Sequence, residues 1–396
     1  IALALRLFSC GKDAAFPGGI WVMLDRAIRI LLSFLLFGVF SIAAPALAQS
    51  VGMARLHIVD TGRADPVAPI HRREWMVTLF YPSPEEGGPH SPYAADPALV
   101  GLLADNGYYD TPATEILAWS RTAGPAVCGA RAVTARLPLI TLSPGLGVAA
   151  FNYSRLAAEL ARRGFAVAVI DHPYVGLSRL PDGRLLRADD YAILGKESMS
   201  DWRPAIVEWA RDISVTLDRL SSESAIATGL DLDAGQAVAV GHSLGGTIAL
   251  EACERERRLT ACANFEGTPE GTVVAEQGPS KPVLFVGSRS GKPGRPHVAP
   301  AVDRPPYSAF AKGTGPATWL VAIRGGSHMS YSDAPFVMPA TLSRFGGELM
   351  TAERSLDVYA GMTERFARTY LRMGDLGYFA AWLGSIPEVK FRLIER

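Results

Sequence analysis

One segment constrains the fold of this chain more than any other. Residues Ala237–Val240 form an apolar run, and Gly-His-Ser-Leu-Gly follows it at positions 241–245. A helix-forming stretch, Thr247–Ala252, comes next. A strand, a sharp turn and a helix in this order expose a serine hydroxyl on a strained backbone, where it can act as a nucleophile. The segment therefore predicts a nucleophile elbow with Ser243 at its tip.

Apolar runs alternate with helical segments along most of the chain, which predicts the fold class. Unbroken Val, Ile, Leu and Ala strands between helices are typical of a parallel sheet covered on both faces. We therefore predict a mostly parallel, doubly wound α/β sheet in a single domain spanning 49–396. Glu74–Tyr81 alternates and predicts an antiparallel edge strand. The other predicted strands are Leu137–Leu142, Phe165–Ile170, Ala237–Val240, Leu259–Phe265, Pro282–Val286 and Thr318–Ile323, and the predicted helices are Tyr153–Arg163, Trp202–Leu220, Leu244–Arg255 and Leu356–Leu371.

Two segments have no place in that sheet. Residues 83–130 are rich in Pro, Gly, Tyr and Asp, and residues 178–201 follow the carboxyl end of a predicted strand. Loops at the carboxyl ends of parallel strands shape the ligand crevice of such sheets. Both segments are therefore predicted to be cap or rim elements. A solvated surface excursion is the alternative for the first.

The N-terminal region predicts an exported protein. Residues 1–22 precede the first plausible initiator, Met23, and are interpreted as upstream or artefactual sequence. Charged residues follow Met23, Ile30–Ala44 is an apolar run, and Pro45–Ala48 ends in an Ala-x-Ala site. This order is typical of a secretory signal peptide, here 23–48, that is cut after Ala48. A membrane anchor is the alternative.

Export to an oxidising compartment makes the cysteines informative. Cys128, Cys253 and Cys262 follow the predicted cleavage site, so at least one thiol is left over. Cys253 and Cys262 flank the short link between the elbow helix and the next strand. The sequence leaves open whether they form a local disulfide or pack as two small buried side chains.

The charge balance argues against a nucleic-acid partner. The chain has 39 basic and 39 acidic residues among its 396, and phosphate binding requires a positive excess or patch. The sequence also lacks a P-loop, a dinucleotide-binding glycine fingerprint and zinc-type Cys/His spacing. We therefore expect no cofactor and no metal.

The serine needs a base that follows it in the chain, because the order in elbow hydrolases is Ser, acid, His. Only His297 and His328 follow Ser243. His297 lies in a Gly- and Pro-rich loop, whereas His328 follows the strand Thr318–Ile323 through a short flexible turn. A rigid strand that feeds a short loop suits a base, so His328 is the predicted general base and His297 the alternative.

The acid is predicted in the same way. Many relatives of this architecture carry it after the strand Pro282–Val286, but no acid follows that strand before Asp303. Glu266 directly follows the strand Leu259–Phe265 and is the predicted triad acid. Glu270 and Asp303 are the alternatives. Asp333, close behind the predicted base, is expected to orient the base loop.

The oxyanion needs two preorganised N–H donors. One is expected from Leu244, the residue after the nucleophile. The second is expected from the loop Ser143–Gly147 after an early predicted strand, with the Leu146 N–H as the best candidate. An ordinary strand-to-helix turn is the alternative for that loop.

Taken together, these segments resemble the platelet-activating factor acetylhydrolase group of α/β-hydrolases, including its secreted bacterial relatives. The resemblance runs from about Glu74 to Phe345. It rests on Arg73–Trp75, Tyr81-Pro82, Leu142–Gly147, Gly164–Val167, Asp171–Pro173, Gly241–Gly246 and Gly326–His328. Two departures stand out. The family usually has Asp where Glu266 lies, and its oxyanion loop has His where this chain has Pro144.

The resemblance implies the α/β-hydrolase fold, hydrolysis of esters with short or modified acyl chains, and no metal. The combined prediction is an exported serine esterase that acts on a small or lipid-like ester through an acyl-enzyme, with transient contact at a lipid interface. Alternatives are an interfacial lipase or phospholipase, a polyester hydrolase, a peptidase, and a non-catalytic binding protein of the same fold. The oligomeric state stays open.

Overall fold

A twisted sheet forms the centre of the molecule. In the described part of the chain eleven strands join in the order β13-β12-β11-β10-β9-β5-β6-β2-β1-β4-β3. The six strands from β12 to β6 run parallel to one another. These are the strands that the unbroken apolar runs predicted, so the mostly parallel sheet is confirmed. The strands are β1 (Ser50–Ala64), β2 (Arg72–Ser83), β3 (His90–Pro92), β4 (Ala123–Cys128), β5 (Arg136–Ser143), β6 (Ala166–Asp171), β9 (Asp231–His242), β10 (Leu259–Phe265), β11 (Val283–Arg289), β12 (Ala317–Arg324) and β13 (Val389–Glu395), with β7 (Ser178–Arg179) and β8 (Leu185–Leu186) as a separate ribbon.

The computed structural model describes residues 50–85, 88–94, 96–105, 111–191, 195, 198–222, 229–289, 307–339, 342 and 349–395. The predicted upstream segment 1–22 and the predicted signal peptide 23–48 lie outside these residues, as do His297 and Asp303. The compact unit that contains the sheet begins at residue 47.

Helices cover both faces of the sheet, and the strands alternate between them. On β6, Val167 and Val169 pack on one face with Leu156 and Leu160, whereas Ala166 and Ala168 join the cluster of the other face. Since both sets of strand residues are buried, the strand can be apolar throughout, which is the pattern that the sequence showed. The described helices are α1 (Pro97–Asp105), α2 (Ala113–Ser120), α3 (Ser154–Arg162), α4 (Arg203–Ser222), α5 (Leu244–Arg255), α6 (Val273–Gln277), α7 (Ala334–Val337), α8 (Ala352–Tyr370) and α9 (Leu376–Ser385).

The strand Glu74–Tyr81 is antiparallel, as predicted, but it is not an edge strand. It forms part of β2, which pairs with β1 on one side and β6 on the other. β1 was not predicted, and it covers the edge that β2 would otherwise expose. Residues 73–83 are buried except for the half-buried Thr78, which fits this interior position.

The segments predicted as cap or rim elements differ in position. Within 83–130, β4 pairs with β1 and β3 pairs with β4, so part of this segment extends the sheet. Ile116 and Trp119 of α2 are buried in the core, which excludes a solvated excursion for that helix. Within 178–201, β7 and β8 form a short antiparallel ribbon after β6.

The structure resolves the question left open for the cysteines. Cys253 and Cys262 form a disulfide between α5 and β10, and both are fully buried. Cys128 is an exposed free thiol. None of the helices in the described residues is both long enough and apolar enough to cross a bilayer.

Candidate active site

Ser243 lies at the tip of a sharp turn between β9 and α5. Its backbone has φ 54° and ψ −123°, a region that a residue with a side chain rarely adopts. Such a conformation costs about 1–3 kcal/mol and persists only where the surroundings impose it. Here the Ser243 N–H donates to the Phe265 carbonyl at 2.7 Å, which ties the turn to the next strand.

Glycine allows the helix that begins after the turn to approach its neighbours. A Cβ at Gly245 would lie 2.0 Å from the Ser143 carbonyl oxygen and 2.4 Å from that of Pro144. No side chain fits at this distance, so the start of α5 can touch the loop after β5 only with glycine at position 245. The nucleophile and the predicted oxyanion loop are therefore in direct contact.

Glu266 lies beside Ser243 on the adjacent strand. Phe265 pairs with His242 in the parallel ladder between β10 and β9, so the residues that follow them, Glu266 and Ser243, lie level with each other. Glu266 also has a positive φ of 65°, and its N–H donates to the Val286 carbonyl at 2.9 Å. Two neighbouring strand ends thus hold strained, non-glycine residues, a pattern typical of functional sites.

His328 reaches the same edge of the sheet from the loop after β12. Its Nδ1 lies 3.9 Å from Glu266 Oε2, and its side chain is 53% exposed, against 16% for Glu266. The loop is held by the Ser327 N–H, which donates to Ser330 Oγ at 2.8 Å. Tyr331 stacks on Phe265 with ring centroids 3.7 Å apart, which anchors the segment to β10.

The structure brings some of the predicted residues closer than others. The separation of 3.9 Å between His328 and Glu266 is longer than a hydrogen bond. Ser243 is partly exposed, and its Oγ makes no hydrogen bond within the described part of the chain. Hydrogen bonds of catalytic groups often tighten only when substrate is bound. The alternative acid Glu270 instead accepts from Ser198 Oγ at 3.5 Å.

Asp333 tethers the His328 segment to α3. Its buried carboxylate accepts hydrogen bonds from Tyr93 Oη, from the Arg155 N–H at 2.8 Å and from the Leu156 N–H at 3.4 Å, and so caps the first turn of α3. Burial raises the pKa of Asp333 to about 7. This position agrees with the expectation that Asp333 orients the loop.

Hydrogen bonds from its backbone amides hold the loop after β5 in place. The Gly145 N–H donates to Tyr153 Oη at 3.0 Å, and the Gly147 N–H donates to the Val175 carbonyl at 2.7 Å. Leu146 lies between them with 36% exposure. Leu244 is the first residue of α5, and amides in a first helical turn have no intrahelical acceptor. A Cβ added at Gly145 would lie 3.2 Å from the Ser243 Cβ, so the loop passes directly beside this turn.

A second Ser-His-Asp arrangement lies nearby, fully buried. Ser143 Oγ is 3.0 Å from His172 Nε2, and His172 Nδ1 is 3.2 Å from Asp212 Oδ2. Arg63 and Arg73 each bind Asp212 at 2.7 Å. Burial alone would raise the pKa of Asp212, but the neighbouring charge of Arg73 holds it below its usual range. This network fixes the end of β5, where the predicted oxyanion loop begins.

A cleft adjoins the segment that follows the loop Ser143–Gly147. Ala149, Ala150 and Phe151 form one wall, and Phe80 and Arg55 lie on another. Within the described residues, no group of three His, Cys, Asp or Glu side chains could hold a metal ion.

Sequence reasoning missed Tyr153 and His242, which link the loops of the site. His242 Nδ1 lies 2.7 Å from Tyr153 Oη, and His242 Nε2 lies 2.6 Å from the His328 carbonyl oxygen. A histidine at the end of a buried strand must find polar partners, so the sequence did signal a network at His242. Tyr153 carried no comparable signal, since a tyrosine at the start of a helix is ordinary.

Comparisons with known proteins give related results. The model of the alpha/beta hydrolase family matches residues 139–389. A curated relative, the probable 1-alkyl-2-acetylglycerophosphocholine esterase of Arthroderma benhamiae, is 24% identical over 234 residues, which are 57% of this chain and 55% of the relative. The chain thus spans about half the length of the curated relative it matches. The solved structure of ferulic acid esterase from Streptomyces cinnamoneus aligns with a TM-score of 0.71 and 30% identity, covering 88% of this chain and 98% of that one.

Proposed function

Because this chain belongs to the alpha/beta hydrolase family, we propose that it is an exported serine esterase, with Ser243 as nucleophile, His328 as general base and Glu266 as triad acid. One observation carries the proposal. A strained serine at the end of β9 lies level with a carboxylate at the end of β10, and that carboxylate faces the imidazole of His328. These are the three roles that acyl transfer by a serine requires.

In the proposed reaction, Ser243 Oγ attacks the ester carbonyl carbon while His328 takes its proton. Glu266 faces Nδ1 of His328, which leaves Nε2 for the serine. The carbonyl C–O bond to the leaving group then breaks, the alcohol takes the proton from His328, and the acyl group stays on Ser243. Water attacks the acyl-enzyme through the same base, which releases the carboxylic acid and restores the serine.

The N–H groups of Leu244 and Leu146 are the proposed oxyanion donors. Leu244 begins α5, so its amide belongs to the positive end of the helix dipole. Leu146 lies in the loop that touches the start of the same helix. Donors of this kind stabilise the developing oxygen charge by about 3–4 kcal/mol each.

The proposed substrates are esters with short or lipid-like acyl groups. The Arthroderma benhamiae relative, named as an esterase of an acetylated glycerophosphocholine, supports this choice. The structural neighbour, named as a ferulic acid esterase, favours aromatic acyl groups as a second candidate class. Hydrolysis rates on a 2-acetyl glycerophosphocholine, p-nitrophenyl butyrate and methyl ferulate would separate the two.

Export is supported by the buried Cys253–Cys262 disulfide, because such bonds persist in oxidising compartments. Sequencing the N-terminus of protein recovered outside the cytoplasm tests this part. A first residue of Gln49 is expected from cleavage after Ala48, and an uncleaved chain would contradict it.

The serine is tested by the variant Ser243→Ala. It should abolish hydrolysis of p-nitrophenyl acetate and butyrate, and labelling by a fluorophosphonate probe, while the circular dichroism spectrum stays unchanged. Ser222→Ala is the matched control, since its Oγ donates to the Arg219 carbonyl at the exposed end of α4. Turnover that persists in Ser243→Ala would sink the assignment.

A further inference from the structure

A continuous chain of buried hydrogen bonds connects the oxyanion loop to the backbone of His328. The Gly145 N–H binds Tyr153 Oη at 3.0 Å, Tyr153 Oη is 2.7 Å from His242 Nδ1, and His242 Nε2 is 2.6 Å from the His328 carbonyl oxygen. Tyr153 and His242 are both fully buried. Water therefore does not compete for these bonds.

The donor and the acceptor of each of these three hydrogen bonds are determined. A carbonyl oxygen only accepts, so His242 Nε2 carries the hydrogen that points to His328. A neutral imidazole with its hydrogen on Nε2 has an accepting Nδ1, so the Tyr153 hydroxyl donates to it. Tyr153 Oη in turn accepts from the Gly145 amide. Burial, together with the neighbouring His328, lowers the pKa of His242 to about 3, which keeps this tautomer neutral.

We propose that Tyr153 and His242 are positioning residues that hold the oxyanion loop, the nucleophile turn and the backbone of His328 in one fixed arrangement. The proposal rests on the proposed esterase function. His242 directly precedes Ser243, so one side chain links the nucleophile turn to both of the other parts. The Gly145 bond orients the peptide that leads into Leu146, and the bond to the His328 carbonyl orients the peptide that carries the base.

The series of hydrogen bonds from Gly145 to His328 can be broken at individual bonds by substitutions that nearly conserve side-chain volume. Tyr153→Phe removes only the hydroxyl. His242→Gln keeps a donor near the Nε2 position, so the bond to His328 can be retained while the acceptor for Tyr153 is lost. His242→Asn places its amide near Nδ1, so it retains the bond to Tyr153 and loses the one to His328. Each variant therefore breaks a known bond.

The expected effect is on the chemical step. Tyr153→Phe and His242→Gln should each lower kcat for p-nitrophenyl butyrate by about 10- to 100-fold, the loss that a misplacement near 1 Å causes, with KM little changed. Both variants break the same Tyr153–His242 bond. The double variant should therefore be no less active than the less active of the two single variants, whereas independent losses of activity would multiply.

Tyr81→Phe is the matched control. Tyr81 is equally buried, and its hydroxyl donates to the Ala130 carbonyl at 2.7 Å, but on the other face of the sheet. It should lose stability like Tyr153→Phe and keep the wild-type kcat. All variants are compared at a temperature at which circular dichroism shows each of them folded.

Two results would overturn the proposal that Tyr153 and His242 are positioning residues. One is a wild-type kcat in folded Tyr153→Phe that still depends on Ser243. The other is a double variant whose loss equals the product of the single losses. Turnover that persists when Ser243→Ala is the only substitution would instead overturn the proposed function, and with it the positioning roles of Tyr153 and His242. Labelling of Ser243 by a fluorophosphonate, measured as a rate in each variant, separates these cases.

Discussion

The burial of a neutral histidine predicts a defined loss of stability in mild acid. The pKa of His242 is lowered to about 3 in the folded protein, mainly by burial, while an unfolded chain has the ordinary value of about 6.5. Between pH 3 and pH 6.5 the His242 imidazole is protonated in the unfolded state and neutral in the folded state. Stability from this group is therefore fully present above about pH 6.5 and falls as the pH is lowered towards 3.

The size of the effect follows from the two pKa values. At pH 5 the gap of 1.5 units below the unfolded value corresponds to about 2 kcal/mol, at 1.36 kcal/mol per unit. Asp333, whose pKa burial raises to about 7, acts in the opposite direction, because its folded form keeps a proton that the unfolded chain releases. The test is therefore the difference between wild type and a variant, rather than the wild-type curve alone.

The variant His242→Gln removes the titrating group. Urea unfolding, followed by tryptophan fluorescence at pH 7 and pH 5 with the disulfide intact, gives the free energy of unfolding. The wild type should lose about 2 kcal/mol more than His242→Gln over this interval. His90→Gln, which removes an exposed imidazole on β3, should follow the wild type. Equal losses in wild type and His242→Gln would refute the reasoning, since His242 would then titrate alike in both states.

Three further outcomes follow from the site. Glu266→Gln should lower kcat on p-nitrophenyl butyrate by about 10³- to 10⁴-fold, the cost of losing a triad acid, while Glu270→Gln keeps the wild-type rate. Gly245→Ala should lose about 100-fold in kcat, measured at a temperature at which circular dichroism shows it folded, because a Cβ 2.0 Å from the Ser143 carbonyl displaces the predicted oxyanion loop. Cys253→Ser should lower the free energy of unfolding by about 2–3 kcal/mol, the value for a closed loop of this short length, and reducing agent should then have no further effect.

The fold was predictable where local pattern and long-range position agree. Unbroken apolar strands can be buried on both faces only between two helical layers. The apolar runs alone therefore predicted β5, β6 and β9–β12. β1 and β2 could not be placed in the same way. An antiparallel strand has the same pattern at an edge as in the interior, and only the pairing with β1 decides between them. That pairing is a tertiary contact without a local signal.

The site shows the same division. Chain order and strand ends predicted that Ser243, His328 and Glu266 lie together, and they do lie at one edge, because the carboxyl ends of parallel strands share it. The link between Tyr153 and His242 joins residues 89 positions apart. The periodicity of β9 and α3 does not predict the contact between Tyr153 and His242. Sequence therefore indicates which groups could react, whereas the parts that align them depend on packing.

The two serine, histidine and carboxylate arrangements in this molecule show why geometry by itself does not define an active site. Ser143, His172 and Asp212 are spaced like a triad at 3.0 and 3.2 Å, closer than the 3.9 Å between His328 and Glu266. Yet Ser143 and Asp212 are completely buried, and two arginines bind the carboxylate. An ester carbonyl cannot reach Ser143, and Asp212 already stabilises guanidinium charge. Ser243 differs in two respects, a strained turn that presents Oγ and a base exposed at the surface. Access and strain, rather than close spacing, are therefore the grounds on which we propose the reaction at Ser243 rather than at Ser143.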